Sequence, residues 1–132
     1  MKKLFVLILF LNLSFLSFSR ATTTFVQSED LQNSNPEAIT FNNDGTRMFV
    51  IDDSLMVETY TLTTGFDIST RSFSVALAFD LAPTNPSPRG IVFNSDGTKM
   101  IISNAAIDII ENYNLAVAFN PSTAGLLATL FC

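Results

Sequence analysis

The chain has 132 residues, with seven basic and twelve acidic side chains, one cysteine and no histidine. Without an imidazole Ser–His–Asp and Cys–His nucleophile activation are excluded, and the commonest metal ligand is missing. Net negative charge with no basic run gives no attraction to a phosphate backbone, so nucleic acid is excluded as a partner.

At the N-terminus, Lys2 and Lys3 precede an apolar run, Leu4–Phe18, interrupted only by Asn12, Ser14 and Ser17. Small residues follow at Ser17 and Ser19, with Ala21 offering a second cut, so residues 1–19 read as a secretory signal peptide. The run, about 15 residues, falls short of the roughly 20 that a spanning helix needs. Export, cleavage and a secreted location follow, with no membrane insertion after cleavage. Residues 20–132 are one domain's length and carry five basic side chains (Arg20, Arg47, Arg71, Arg89, Lys99) against all twelve acidic ones, a net charge of −7. Such a surface favours solubility and is repelled by anionic lipid.

Beyond the signal the chain repeats itself. Thr22–Val26 resembles Ser72–Val75 and is expected to form an extra N-terminal strand. Phe41-Asn42-Asn43-Asp44-Gly45-Thr46-Arg47-Met48 then returns 52 positions later as Phe93-Asn94-Ser95-Asp96-Gly97-Thr98-Lys99-Met100. Tyr60-Thr61-Leu62, Phe66 and Ser69-Thr70 return 53 positions later as Tyr113-Asn114-Leu115, Phe119 and Ser122-Thr123, so one residue is gained between the blocks. The spacing predicts four short strands in each unit. In the first (about 36–80) they are Ala38–Phe41, Met48–Asp52, Met56–Leu62 and Ser72–Phe79. In the second (about 88–131) they are Gly90–Phe93, Met100–Ser103, Ile107–Leu115 and Leu126–Phe131. Asp44-Gly45 and Asp96-Gly97 between apolar runs predict hairpin turns in which glycine takes positive φ. Pro36, Pro86 and Pro88 fall where no ladder bond is needed. Met48–Ile51 and Met100–Ile102 show no polar side, which fits sheets covered on both faces. A period near 50 built of strands points to propeller blades or a related array. The expected fold is therefore all-β: two four-stranded propeller-type blades plus one extra N-terminal strand, an incomplete β-propeller.

Few residues are candidates for chemistry. Asp44 and Asp96 each stand alone before glycine, with no second carboxylate to share a calcium ion, so a structural turn role is the reading. Asp52 and Asp53 follow the second strand and are the one candidate ligand-binding pair, although Ser103-Asn104 stands in that place in the second unit. Tyr60, Tyr113, Phe66 and Phe119 could stack on sugars, but recurring aromatics in strands more often pack between units. Arg47 and Lys99, beside the hairpins, are read as solvated. No catalytic residue, metal or cofactor is indicated, and no pair of carboxylates shows the convergence that glycoside hydrolysis requires. Cys132 has no second thiol in the chain to pair with.

Phe-Asn-x-Asp-Gly-Thr-(Lys/Arg)-Met, then Tyr-x-Leu, then Phe-x-x-Ser-Thr, resembles the secreted bacterial β-propeller repeats of the YVTN and WD-like type. It is similar in particular to the version of roughly 50 residues found in surface-associated and phage-tail-associated proteins. The resemblance spans residues 22–131. It implies a non-catalytic exported protein that binds or scaffolds at the cell surface, with a protein or glycan as ligand. A propeller-type lyase or glycosidase is the weaker reading. Two units are fewer than the about four to eight that close a ring. Either a cyclic homo-oligomer of two, three or four chains would supply the rest, or the chain is a fragment of a longer propeller with no independent function.

Overall fold

The computed structural model describes residues 25–26, 28–31, 35–83 and 85–131. The expected signal segment, Thr22–Thr24 and Cys132 lie outside the described residues. Within them the chain is all-β, with two antiparallel sheets. The first contains β1 (Pro36–Phe41), β2 (Arg47–Asp52), β3 (Met56–Leu62), β4 (Arg71–Phe73) and β5 (Phe79–Asp80), ordered β1-β2-β3-β4, with β5 also on β3. The second contains β6 (Pro88–Phe93), β7 (Lys99–Asn104), β8 (Ile109–Leu115) and β9 (Ala124–Phe131), ordered β6-β7-β8-β9. The two sheets do not close on each other.

The expected hairpins form. Gly45 and Gly97 both sit at φ 71°. In each turn the aspartate takes two bonds from the threonine after glycine: Asp44 Oδ1 from Thr46 N (3.0 Å) and Oγ1 (2.6 Å), Asp96 Oδ1 from Thr98 N (2.9 Å) and Oγ1 (2.5 Å). Asn42 and Asn94 accept from the first amide of the returning strand. The repeated octapeptide is thus consumed in making a turn. Pro36 and Pro88 open the edge strands β1 and β6, where a missing N–H is harmless. One residue later both strands bulge: Pro36 and Ala38 face Asp52 and Ile51, leaving Glu37 extra, and Arg89 is extra in the same way. A bulge turns its surplus side chain out of the ladder's plane.

Three expectations need correction. Phe25 and Val26 are exposed and belong to no strand, so the described part of the extra N-terminal strand is absent. Ser72–Phe79 is not one strand. Seven residues, Phe73 to Phe79, lie opposite the four from Tyr60 to Val57, and the surplus coils into a 3-10 turn at Val75–Leu77. In the second sheet five residues, Leu126 to Leu130, oppose four, Tyr113 to Ile110, and a single bulge absorbs the extra one. Finally, β8 starts at Ile109 rather than Ile107. The β2–β3 turn has three residues and the β7–β8 turn has four, which places the inserted residue there.

The sheets stack front to back. Phe49, Ile51 and Val57 on the front of the first sheet form one cluster with Ile91, Met100, Ile102, Tyr113 and Leu115 on the back of the second, around Leu81. Met48, Val50, Tyr60 and Leu62, the first sheet's counterparts of that back face, form a separate cluster under Leu31, Ile68 and Phe73. Phe49 meets Phe93 at 4.5 Å between ring centroids, and Phe79 meets Tyr113 edge-on at 5.4 Å. Burial on both faces holds for β2. On β7 only alternate residues are fully covered, because the second sheet's front has no neighbour among the described residues.

Candidate functional site

Asp52 ends β2 and Asp53 starts the turn into β3, at the end of the molecule where the bulged starts of β1 and β6 come together. A cavity of about 180 Å³ lies there, bounded by Glu37, Asp52, Asp53, Leu55 and the segment Pro86–Arg89. The sequence candidates therefore do share a concave surface between the two sheets. Its polar groups, however, are mostly committed to the chain itself. Asp52, 2 % exposed, accepts from the Ser54 amide at 3.0 Å and from the Ser54 hydroxyl. Asp53 accepts from Asn35 Nδ2 at 2.8 Å. Glu37 and Arg89, the two bulge residues, form an ion pair across the junction. Among the described residues that line it, the buried side-chain polar atom without a hydrogen-bond partner is Asp52 Oδ2.

The strand register also corrects the comparison of the two units. Asp52 stands opposite Pro36, and Asn104 opposite Pro88, so the partner of Asp52 is Asn104 rather than Ser103. Asn104 Oδ1 caps its turn by accepting from Ala106 N at 3.0 Å, and its Nδ2 is likewise buried without a partner. The position is conserved between the sheets as a turn cap, with charge in one and none in the other. Asp44 and Asp96 lie away from this cavity, at the opposite hairpins. The threonine hydroxyls, then the threonine amides, hold both carboxyls below the usual aspartate value.

The aromatic repeats separate. Tyr113 is buried between the sheets and Tyr60 in the other cluster, as expected of packing residues. Phe66 and Phe119 do something else: both adopt positive φ (61° and 54°), donate their amides to Gly45 O and Gly97 O at 3.0 and 2.8 Å, and lay their rings over those glycines. Asp67 and Asn120 then cap a 3-10 turn by accepting from Ser69 and Ser122, which accounts for the repeated Ser-Thr. Arg47 is not solvated: Nη1 donates to Phe119 O at 2.9 Å, tying the first hairpin to the second sheet.

Two residues of interest escaped the sequence reading. Glu58 and Glu111 are buried in the middle of β3 and β8. Tyr60 OH donates to Glu58 Oε2 at 2.7 Å, and Tyr113 OH to Glu111 Oε2 at 2.9 Å. Asn85, arriving from the first sheet, adds a bond to Glu111 Oε2 at 2.8 Å. A buried carboxylate is tolerated when several donors surround it. Glu-x-Tyr on a strand puts both side chains on one face, and its recurrence 53 residues apart was the available signal. Among the described residues no group of three or more acidic, cysteine or histidine side chains converges to hold a metal ion, and no helix is long and apolar enough to cross a membrane. No protein-family model matches the chain, and no curated protein is recognisably similar to it.

Proposed function

We propose that the chain is a non-catalytic, exported protein of the β-propeller type, its two sheets acting as successive blades, and that it binds or scaffolds at the cell surface. The observation that carries this reading is the use made of the repeated polar residues. Asn42, Asp44, Thr46, Asp67, Ser69, Thr70 and their counterparts all bond within their own turns. The repeat is spent on shape, which suits a module that presents surfaces rather than one that performs chemistry. A protein or glycan is the class of ligand in keeping with an acidic, exported surface of this kind.

A glycan array and a hydrolysis screen, run on the same full chain, test the proposal. Saturable binding without turnover is the expected result; turnover without stable binding overturns it. Asp52→Asn refines the outcome. Because asparagine already caps the matching turn at Asn104, the variant should hold its stability to within ~0.5 kcal/mol and keep its ligand. Loss of binding in a fully folded Asp52→Asn protein would instead place the ligand at the cavity between β2 and β6.

A further inference from the structure

We infer that Asp44 is a site of spontaneous covalent modification, isomerising through a cyclic imide with Gly45, while the same Asp-Gly pair at Asp96-Gly97 is protected by its place in the fold.

The reaction needs no partner. The Gly45 nitrogen attacks Cγ of Asp44 and gives up its proton, and the carboxyl's hydroxyl leaves with that proton as water. A second water opens the ring at either carbonyl. One opening restores aspartate, and the other leaves the backbone running through Cγ as isoaspartate. Glycine favours the attack because it has no Cβ to crowd the nitrogen and adopts conformations closed to other residues. The chain offers this dipeptide at Asp44-Gly45 and at Asp96-Gly97, and both aspartates are exposed to solvent.

While closed, the two turns resist alike. Gly45 N donates to Asn42 O at 3.1 Å and Gly97 N to Asn94 O at 3.0 Å, so each attacking nitrogen is engaged. Each carboxyl is turned onto the following threonine by two bonds. Those bonds also favour the ionised carboxylate, from which the hydroxyl leaves poorly. Reaction therefore waits for a turn to open, and the two rates divide according to what each opening costs.

What holds them shut is different. The ring over Gly45 is Phe66, 60 % exposed, with Phe41 as its aromatic neighbour at 5.3 Å between centroids. The ring over Gly97 is Phe119, which packs on Phe93 at 5.5 Å and against the core shared by the two sheets. Arg47 Nη1 reaches the second loop from the neighbouring sheet and bonds to Phe119 O at 2.9 Å and Ala118 O at 3.4 Å. The loops differ in stiffness too. Gly65 and Ile68 in the first stand where the second has Ala118 and Pro121; glycine widens the conformations a loop explores and proline narrows them. The bond from Asn43 Nδ2 to Ser95 O joins the two hairpins and so favours neither. Opening the first turn moves an exposed ring and a pliant loop, whereas opening the second disturbs the core between the sheets.

Ageing the full chain in heavy-oxygen water at neutral pH, followed by tryptic digestion and mass spectrometry, tests the inference. Cuts after Arg47 and Lys99 put the two turns on separate peptides. Each passage through the imide inserts one heavy oxygen whichever carbonyl the water opens, and fragmentation assigns the label to its residue. In the folded chain Asp44 should label at least about fivefold faster than Asp96. In urea the two should label at closely matched rates, since Gly-Thr follows both. Phe66→Ala alters an exposed ring, so it should keep the wild-type circular dichroism, quicken labelling at Asp44 and leave Asp96 unchanged. Equal rates in the folded chain, faster labelling at Asp96, or no label at either while the urea sample labels overturns the inference. An Asp44 rate unmoved by Phe66→Ala overturns it as well, because the exposed ring would then not be what sets the opening.

Discussion

Strands β2 and β7 hold the same place in the two sheets and differ in what surrounds them. Phe49, Val50 and Ile51 are fully buried from both sides, whereas Ile101 and Ser103, the counterparts of Phe49 and Ile51, face outwards. The hairpin turns that lead into these strands repeat the same hydrogen bonds, and the strands paired with them bulge at the same place. Local chemistry therefore repeats with the sequence, while burial depends on what covers each face: the second sheet lies over the front of β2, and Leu31, Ile68 and Phe73 over its back. The energetic weight of a given position thus depends on its place in the stack.

The widest gap between the sheets should appear at that pair. Phe49→Ala removes a ring packed against Phe93 inside the shared core and should destabilise the chain by about 3–5 kcal/mol. Ile101→Ala, at the same position on the second sheet, should cost under about 1 kcal/mol. Urea unfolding of the two variants measures both. Equal losses would mean that Ile101 is covered in solution.

This asymmetry bears on how far the fold was legible beforehand. The hairpins were readable because Asp-Gly flanked by apolar runs has one good solution, and that solution is local. The broken outer strand of the first sheet was not, because Ser72–Phe79 alternates like a strand and its surplus length emerges only against the register of β3. The site was half legible. Asp52 and Asp53 do border the cavity between the sheets, but the other wall comes from Glu37 and Arg89, which reach it because a bulge turns them there. The Glu-x-Tyr pairs were visible in the text of the chain and overlooked, since an acidic residue inside a strand is ordinarily a solvent-facing one.

A smaller gap is expected at the two glycines. Any side chain at Gly45 or Gly97 meets positive φ and would run into the ring of Phe66 or Phe119. Phe66 is mostly exposed and can swing aside; Phe119 packs against Phe93 and the shared core. Gly97→Val should therefore cost roughly 3 kcal/mol and Gly45→Val roughly 1–2 kcal/mol, as thermal or urea melts would show. If the order is reversed, the ring of Phe66 is held by something stronger than its contact with Phe41, and the first sheet's back is more tightly covered than the second's.

The smallest effect should be the same in both sheets, and that equality is its value. Asp44 and Asp96 have their carboxyls held below the ordinary 3.8, first by the threonine hydroxyl and then by the threonine amide. A lowered folded-state value contributes stability that is present above about pH 4 and is lost as pH falls through the folded value. Thr46→Val and Thr98→Val remove the hydroxyl and keep the amide. Each variant also loses the bond from Asn42 or Asn94 to that hydroxyl, a loss independent of pH. The difference in melting temperature from the parent should accordingly shrink on acidification without vanishing, and by equal amounts for the two variants. Both carboxyls are solvent-facing and bonded only within their own turns, so a neighbouring sheet has no way to favour one. Unequal titration would mean that the bond from Asn43 Nδ2 to Ser95 O, 2.6 Å across the two hairpins, couples turns that otherwise behave as independent units.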